Sequence, residues 1–289
     1  MELYVLMKFE EIIKEFDKED QIFKEDQVLY IKEHKEDFID DLLKLIKDYT
    51  DNMDENIYPI SVLYSLFLLS EFKEKRLYPY LIKMLEFQYP NNMSFFEYFG
   101  DGMFEMMSCF LVSTFNNDFD SLNRIIENDK YDEDSRHIAV STYSYLCRNN
   151  FISKEELIIF LNKIIDNILK KSDDPNYGCY MFVNGILDVI IECNLRELLD
   201  KVKLLYENDF VDPLMFGDYN KYLSYVGDTS LSYHTHQIED TISEFSQWAM
   251  FCNESKVYKK NHSNNKPSKK KKKKQPKTNY KNKKKKKKK

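Results

Sequence analysis

Between Lys154 and Lys171 the apolar residues fall three and four positions apart: Leu157, Leu161, Ile164 and Ile168 form one row, and Ile158, Ile165 and Leu169 widen it. An α-helix, with its period of 3.6, puts such a set on one face. Glu155, Asn162, Lys163, Asp166 and Lys170 fall elsewhere on the wheel, so this helix has a single side to bury. Ser153-Lys154-Glu155-Glu156 opens it as a capping box, in which the serine hydroxyl and the Glu156 carboxylate each satisfy an orphan backbone N–H. The same spacing recurs along most of the chain and sustained alternation is scarce, which predicts an all-α fold.

The punctuation agrees. Asp174-Pro175 and Asp212-Pro213 each place a capping acid before a proline at the first helical position. Asn149-Asn150 supplies a left-handed helix end. On this basis helices are expected near 1–17, 21–33, 36–48, 59–73, 77–88, 101–115, 118–128, 134–148, 154–171, 177–193, 196–208, 214–225 and 237–252. The stretch 218–237, rich in tyrosine and glycine, reads as a helix end or as an irregular loop. The middle helices pair at 59–88, 101–128, 134–171 and 177–208, a repeat of about 34 to 43 residues that suits an α-solenoid of HEAT- or tetratricopeptide-like hairpins. Glu127-Asn128-Asp129 with Asp132 returns as Glu207-Asn208-Asp209 with Asp212, 80 residues on.

Charge divides the chain in two. All 49 Asp and Glu residues lie before residue 256 beside only 24 Lys and Arg, so residues 1–255 carry −25. Residues 256–289 hold 19 lysines, no acid and too little apolar surface to offset the entropy of ordering. The expected organisation is therefore an acidic helical repeat domain, 1–255, and a disordered lysine-rich tail, 256–289. The tail runs Lys269, Lys270, Lys271, Lys272, Lys273 and Lys274, then Lys283, Lys284, Lys285, Lys286, Lys287, Lys288 and Lys289, are candidates for contacting a polyanion such as RNA or a ribosome. A solvated tail without a ligand accounts for them equally.

The longest apolar run, 60–69, is well short of the ~20 residues a bilayer span requires, and residues 1–16 lack a signal peptide's basic start and unbroken apolar stretch. A cytoplasmic location is expected. Five cysteines, Cys109, Cys147, Cys179, Cys193 and Cys252, form no C-x-x-C pair and should be reduced and mostly buried. No phosphate-binding glycine loop, H-E-x-x-H or G-x-S-x-G occurs, so neither cofactor nor enzymatic activity is expected.

Three constellations stand out. Asp101 and Glu105, one turn apart after Gly100, read either as a cation- or proton-handling pair or as an N-cap with a first-turn acid. His234-Thr235-His236, with Glu239 and Asp240 following, reads as a metal pair or as exposed loop histidines. Trp248, near Phe245, Met250 and Phe251, reads as a partner-binding cluster or as a terminal helix sealing the last repeat.

Tyr58-Pro59 through Leu63, Leu81 to Leu85, Phe99-Gly100-Asp101 with Glu105, Leu122 to Glu127, Ser135-Arg136-His137-Ile138-Ala139, and the close from Gln237 to Ile242 and Trp248 to Cys252 resemble, in order, the bacterial family called domain of unknown function 1186. The resemblance covers about 55–252 and implies a cytoplasmic protein of helical repeats. Some relatives end in a cysteine-rich SEC-C zinc motif; with no cysteine after Cys252, none is carried over. The expected role is a non-enzymatic scaffold for a basic protein partner, with Asp101, Glu105, Glu239, Asp240 and Trp248 as candidate contacts; the alternatives are RNA or ribosome association through the tail and an enzyme of unknown type.

Overall fold

The computed structural model describes residues 7–20, 22–53, 58–171, 179–228, 230–246, 248, 250 and 251. Among these the regular structure is helical throughout, in chain order α1 (Phe9–Phe16), α2 (Glu25–Glu33), α3 (Lys35–Asp51), α4 (Ile60–Glu71), α5 (Tyr78–Glu86), α6 (Phe95–Phe99), α7 (Asp101–Ser113), α8 (Phe119–Glu127), α9 (Glu133–Arg148), α10 (Lys154–Leu169), α11 (Tyr180–Glu192), α12 (Leu199–Glu207), α13 (Pro213–Phe216), α14 (Tyr219–Tyr225) and α15 (Thr241–Phe245). No strand occurs among the described residues, so the expected all-α class holds. No described helix is long and apolar enough to cross a membrane.

Neighbour relations form rows. Helices α4, α7, α9 and α11 pack successively, while α3, α5 and α8 form a second sequence, and α10 packs on both α9 and α12. The inner row is apolar almost all round: ten of the twelve residues of α4 are buried, and α11 carries no charge before Asp188. Helices covered on several sides need such sequences. The outer helix α8, by contrast, buries one stripe, Leu122, Ile125 and Ile126.

Carboxylates set the helix starts. Ser153 and Glu156 form the expected capping box of α10, and Asp212 caps α13 with Pro213 at the first position. Such caps contribute about 1 kcal/mol each. One acidic turn serves three helices. Asp132 Oδ1 accepts the Ser135 N–H of α9 at 3.0 Å, Asp134 Oδ2 accepts Phe96 N–H of α6 at 3.1 Å, and Glu133 Oε2 accepts Met181 N–H of α11 at 2.8 Å. The 80-residue echo has a structural counterpart: Asn128 and Asn208 end α8 and α12, and Asp132 and Asp212 cap the helices that follow.

Four differences from the expected elements have physical causes. Helix α6 was not anticipated, although Ser94 and Glu97 form a capping box of the same kind as that of α10; five residues are too few to show a period. The helix expected at 214–225 breaks at Gly217, whose φ of 71° no continuing helix accepts. The helix expected over 237–252 shrinks to α15, because residues 233–240 are held in an extended path by bonds to other helices. Finally, Trp248 does not lie in a terminal helix: it packs on Phe67 of α4 at a ring separation of 5.5 Å and on Gly102 of α7. The cap expected at Asp174-Pro175 and the tail lysines lie outside the described residues.

Gly102 is what lets Trp248 in: a Cβ there would lie 2.8 Å from the indole. Replacing Gly102 by Ala is therefore expected to displace the chain's only tryptophan and cost about 1–3 kcal/mol. Denaturant unfolding followed by tryptophan emission checks this; an unshifted spectrum and midpoint would show that the indole does not sit there.

Candidate functional site

Helices α9 and α11 approach closely at Gly185, where a Cβ would fall 2.9 Å from Val140 Cγ1 and 3.0 Å from His137 Cγ. Helical spacing then aligns His137, Ser141, Ser144 and Arg148 along one side of α9, and Met181, Asp188 and Glu192 along the facing side of α11. These residues, except Arg148, line a cleft of about 810 Å³, with Phe104, Glu105 and Ser108 of α7 as a further wall.

The roof is a strap formed by residues 233–241, which crosses the inner row helix by helix. His234 N–H donates to Glu192 Oε1 on α11 at 3.0 Å, and Thr235 accepts from Arg148 Nη2 of α9 at 2.7 Å. Thr235 Oγ1 lies 3.2 Å from Ser108 Oγ of α7, and Ile238 N–H donates to Ser113 Oγ at 2.8 Å. Thr241 N–H then reaches Glu71 Oε2 of α4 at 2.8 Å, and Asp240 pairs with Lys32 of α2 at 2.5 Å. Extended chain rises about 3.3 Å per residue, so the steps from His234 to Thr241 span roughly 23 Å, close to three helix spacings of ~8–10 Å.

Several titratable groups of the cleft are held by named partners. His137 accepts nothing from Met181 and must donate Nδ1–H to its carbonyl, 2.7 Å away; burial lowers its pKa, so the ring is neutral. His236 is the opposite case: its bonds to Cys109 Sγ at 3.7 Å and Glu244 Oε1 at 3.2 Å raise its pKa to about 10, giving an imidazolium that latches the strap to α7. Glu192 faces Arg148, whose guanidinium stacks 3.7 Å over Tyr233. Asp188 has no hydrogen bond or ion pair among the described residues, and burial, then the nearby Glu192 charge, raise its pKa to about 7.

The residues singled out from the sequence are dispersed. Glu105 and Trp248 line the cleft, whereas Asp101, Glu239 and Asp240 do not. Asp101 is the first residue of α7 and makes no side-chain cap bond, Gly100 being the cap position. Glu239 and Asp240 serve the strap, paired with Lys73 and Lys32. Trp248 is partly covered and packs into the aromatic cluster of Phe67 and Phe245. His234 and His236 both line the cleft, and no group of three or more His, Cys, Asp or Glu among the described residues is arranged to hold a metal. Cys109, Cys147, Cys179 and Cys193 are buried free thiols; Cys252 lies outside the described residues. Asp188, Glu192 and Ser144 were not singled out, although Asp188 and Glu192 are the only charges in the apolar stretch 180–192 and stand one turn apart.

These features define an all-helical protein whose C-terminal segment returns across its inner helices and roofs a cleft with an unpaired carboxylate in its wall. The chain belongs to the family described as protein of unknown function, DUF1186, whose profile matches residues 7–252. No curated protein and no solved structure matches it. Two of the residues that carry the family resemblance have visible tasks: Arg136, 5% exposed, donates twice to the Ile126 carbonyl ending α8 and stacks 3.9 Å over Phe182 of α11, while His137 holds Met181.

Asp188 titrates near 7 in the folded chain and near ~3.9 when unfolded. Between those values the folded chain retains a proton the unfolded chain releases, so stability falls as pH rises from ~4 to ~7 and stays lowered above. Asp188→Asn is expected to raise stability at pH 8 by about 2 kcal/mol, with the advantage vanishing near pH 4. Urea midpoints at the two pH values test this, and an equal difference at both would refute the burial of the carboxylate.

Proposed function

We propose that the chain is a non-enzymatic protein-interaction module, that its two rows of helices are the HEAT-like solenoid expected from the repeat period, and that a basic partner docks in the cleft beneath the strap. The observation that supports this most directly is Asp188 in the cleft wall, which has no ion pair among the described residues although Glu192, one turn on, is paired with Arg148. A net charge of −25 over residues 1–255 favours a basic partner over long range. Rigid helices provide the walls, so docking requires little reorganisation of the chain.

A photoreactive phenylalanine analogue at Phe104, in the cleft, is expected to cross-link a defined partner in cells, while the same group at Ile159, 72% exposed on α10, is not. Equal labelling at both positions, or a substrate turnover abolished by Asp188→Asn, would overturn the reading. A second reading is favoured by the 19 lysines of residues 256–289: these associate with RNA or the ribosome by neutralising phosphates, with steep salt dependence. Deleting 256–289 is then expected to abolish co-sedimentation with ribosomes at low salt, and unchanged co-sedimentation would exclude it.

A further inference from the structure

We infer that Asp188 and Ser144 form a seat for one lysine or arginine side chain presented by a partner polypeptide. This rests on the cleft being the docking site and specifies what enters it. Three observations carry it.

The first is the local balance of charge. Glu192 is offset by Arg148, 3.5 Å away, and its other oxygen takes the His234 N–H. Asp188, one turn earlier on the same helix, has no compensating cation among the described residues. The second is the balance of hydrogen bonds. Ser144, on the facing side of α9, is 2% exposed and lines the cleft, yet its Oγ has no partner. An orphan buried hydroxyl costs about 1–3 kcal/mol, and it stands across the helix seam from a carboxylate that can only accept once ionised. A donor-rich cation with no acceptor satisfies both groups at once, as an ammonium or guanidinium does.

The third observation decides what carries the cation. A cleft of about 810 Å³ is far larger than an ammonium group, and Phe104, Met106, Met181, Phe216 and Trp248 give it apolar walls. Met215 on its rim is 58% exposed, and the adjoining Leu214 is 91% exposed. Pockets of this kind bury apolar surface and use a few polar groups to fix orientation. The occupant that fits is a basic residue flanked by apolar ones in a polypeptide, since a free polyamine would leave the apolar walls uncovered.

Seating the cation requires Asp188 to ionise. The titratable groups that act on it are Glu192 on its own helix and Tyr222 of α14, and His137 of α9 and His234 of the strap line the same cleft. Glu192 and burial hold the proton on, and an entering cation displaces it. Affinity should therefore fall below pH 7, approaching tenfold per unit.

The test uses the full chain at ~150 mM salt, with Trp248 emission as the readout. Two pools of acetylated, amidated pentapeptides, apolar at the flanks, carry either lysine or norleucine at the centre; spermidine is the third probe. The lysine pool is expected to bind at least tenfold more tightly than the norleucine pool, with the advantage lost in Asp188→Asn and reduced in Ser144→Ala. Equal binding of the two pools, an undiminished preference in a folded Asp188→Asn chain, or binding of spermidine in preference to the peptides would each overturn the proposal. Should cross-linking through Phe104 still capture a partner in that case, the docking reading stands and the cation seat alone fails. Unfolding midpoints of both variants show that they are folded, and Asp188→Gln supplies a second neutral variant.

Discussion

The contact on which the arrangement depends is the close approach of α9 and α11 at Gly185. Any side chain at that position would meet Val140 and His137, so the glycine sets the spacing of the two helices. Once they are that close, the backbone N–H groups at the start of α11 come within reach of Glu133, and the Met181 carbonyl within reach of His137. Arg136 stacks on Phe182 from the same turn of α9. The turn from Asp132 to His137 thereby organises α6, α8, α9 and α11 together. Its polar atoms are almost all engaged, which is the condition for burying them at acceptable cost.

The strap follows from the same packing. Inner helices that are apolar on every side still present backbone carbonyls and short hydroxyls, among them Ser108, Ser113 and Ser141, along one face. A passing extended segment can bond these without deep side-chain burial, and residues 233–241 do so at nearly every step. Thr235 and Ile238 are buried while His234, His236 and Glu239 remain exposed, so the segment is pinned at intervals and not covered along one continuous face. Local strap order is thus borrowed from tertiary contacts. The imidazolium of His236, between Cys109 and Glu244, adds a charged fastening at the centre of the path.

This explains what could be read from the sequence. Helices whose starts are fixed locally were legible: Ser153 with Glu156, Asp212 before Pro213, and Asn150 with its φ of 61° act where they were expected to. The strap was not legible, because its conformation depends on partners more than 120 residues away, such as Ser113 for Ile238. Apolar residues at 238, 242, 245 and 248 mimic a continuous helical stripe, and only Ile242 and Phe245 lie within a helix. The cleft was half legible. Two acids one turn apart in an otherwise apolar helix are a sequence signal in themselves, but the orphan hydroxyl of Ser144 appears only when α9 and α11 are placed side by side.

The acidity of the chain looks excessive when counted by composition and less so when each carboxylate is followed to its partner. Asp118, Asp132, Asp212, Asp218 and Asp240 cap helices, Glu71 and Asp240 share Lys32, and Glu133 and Asp134 hold neighbouring helix starts. Such acids are explained by the fold and say nothing about ligands. Asp188 differs because it is half-buried in the cleft wall and, among the described residues, caps no helix and forms no ion pair, and its raised pKa records the cost of its desolvation. A buried charge without structural return is destabilising. Its protonation is set by desolvation and by the Glu192 charge, with no opposing charge from the fold to offset either.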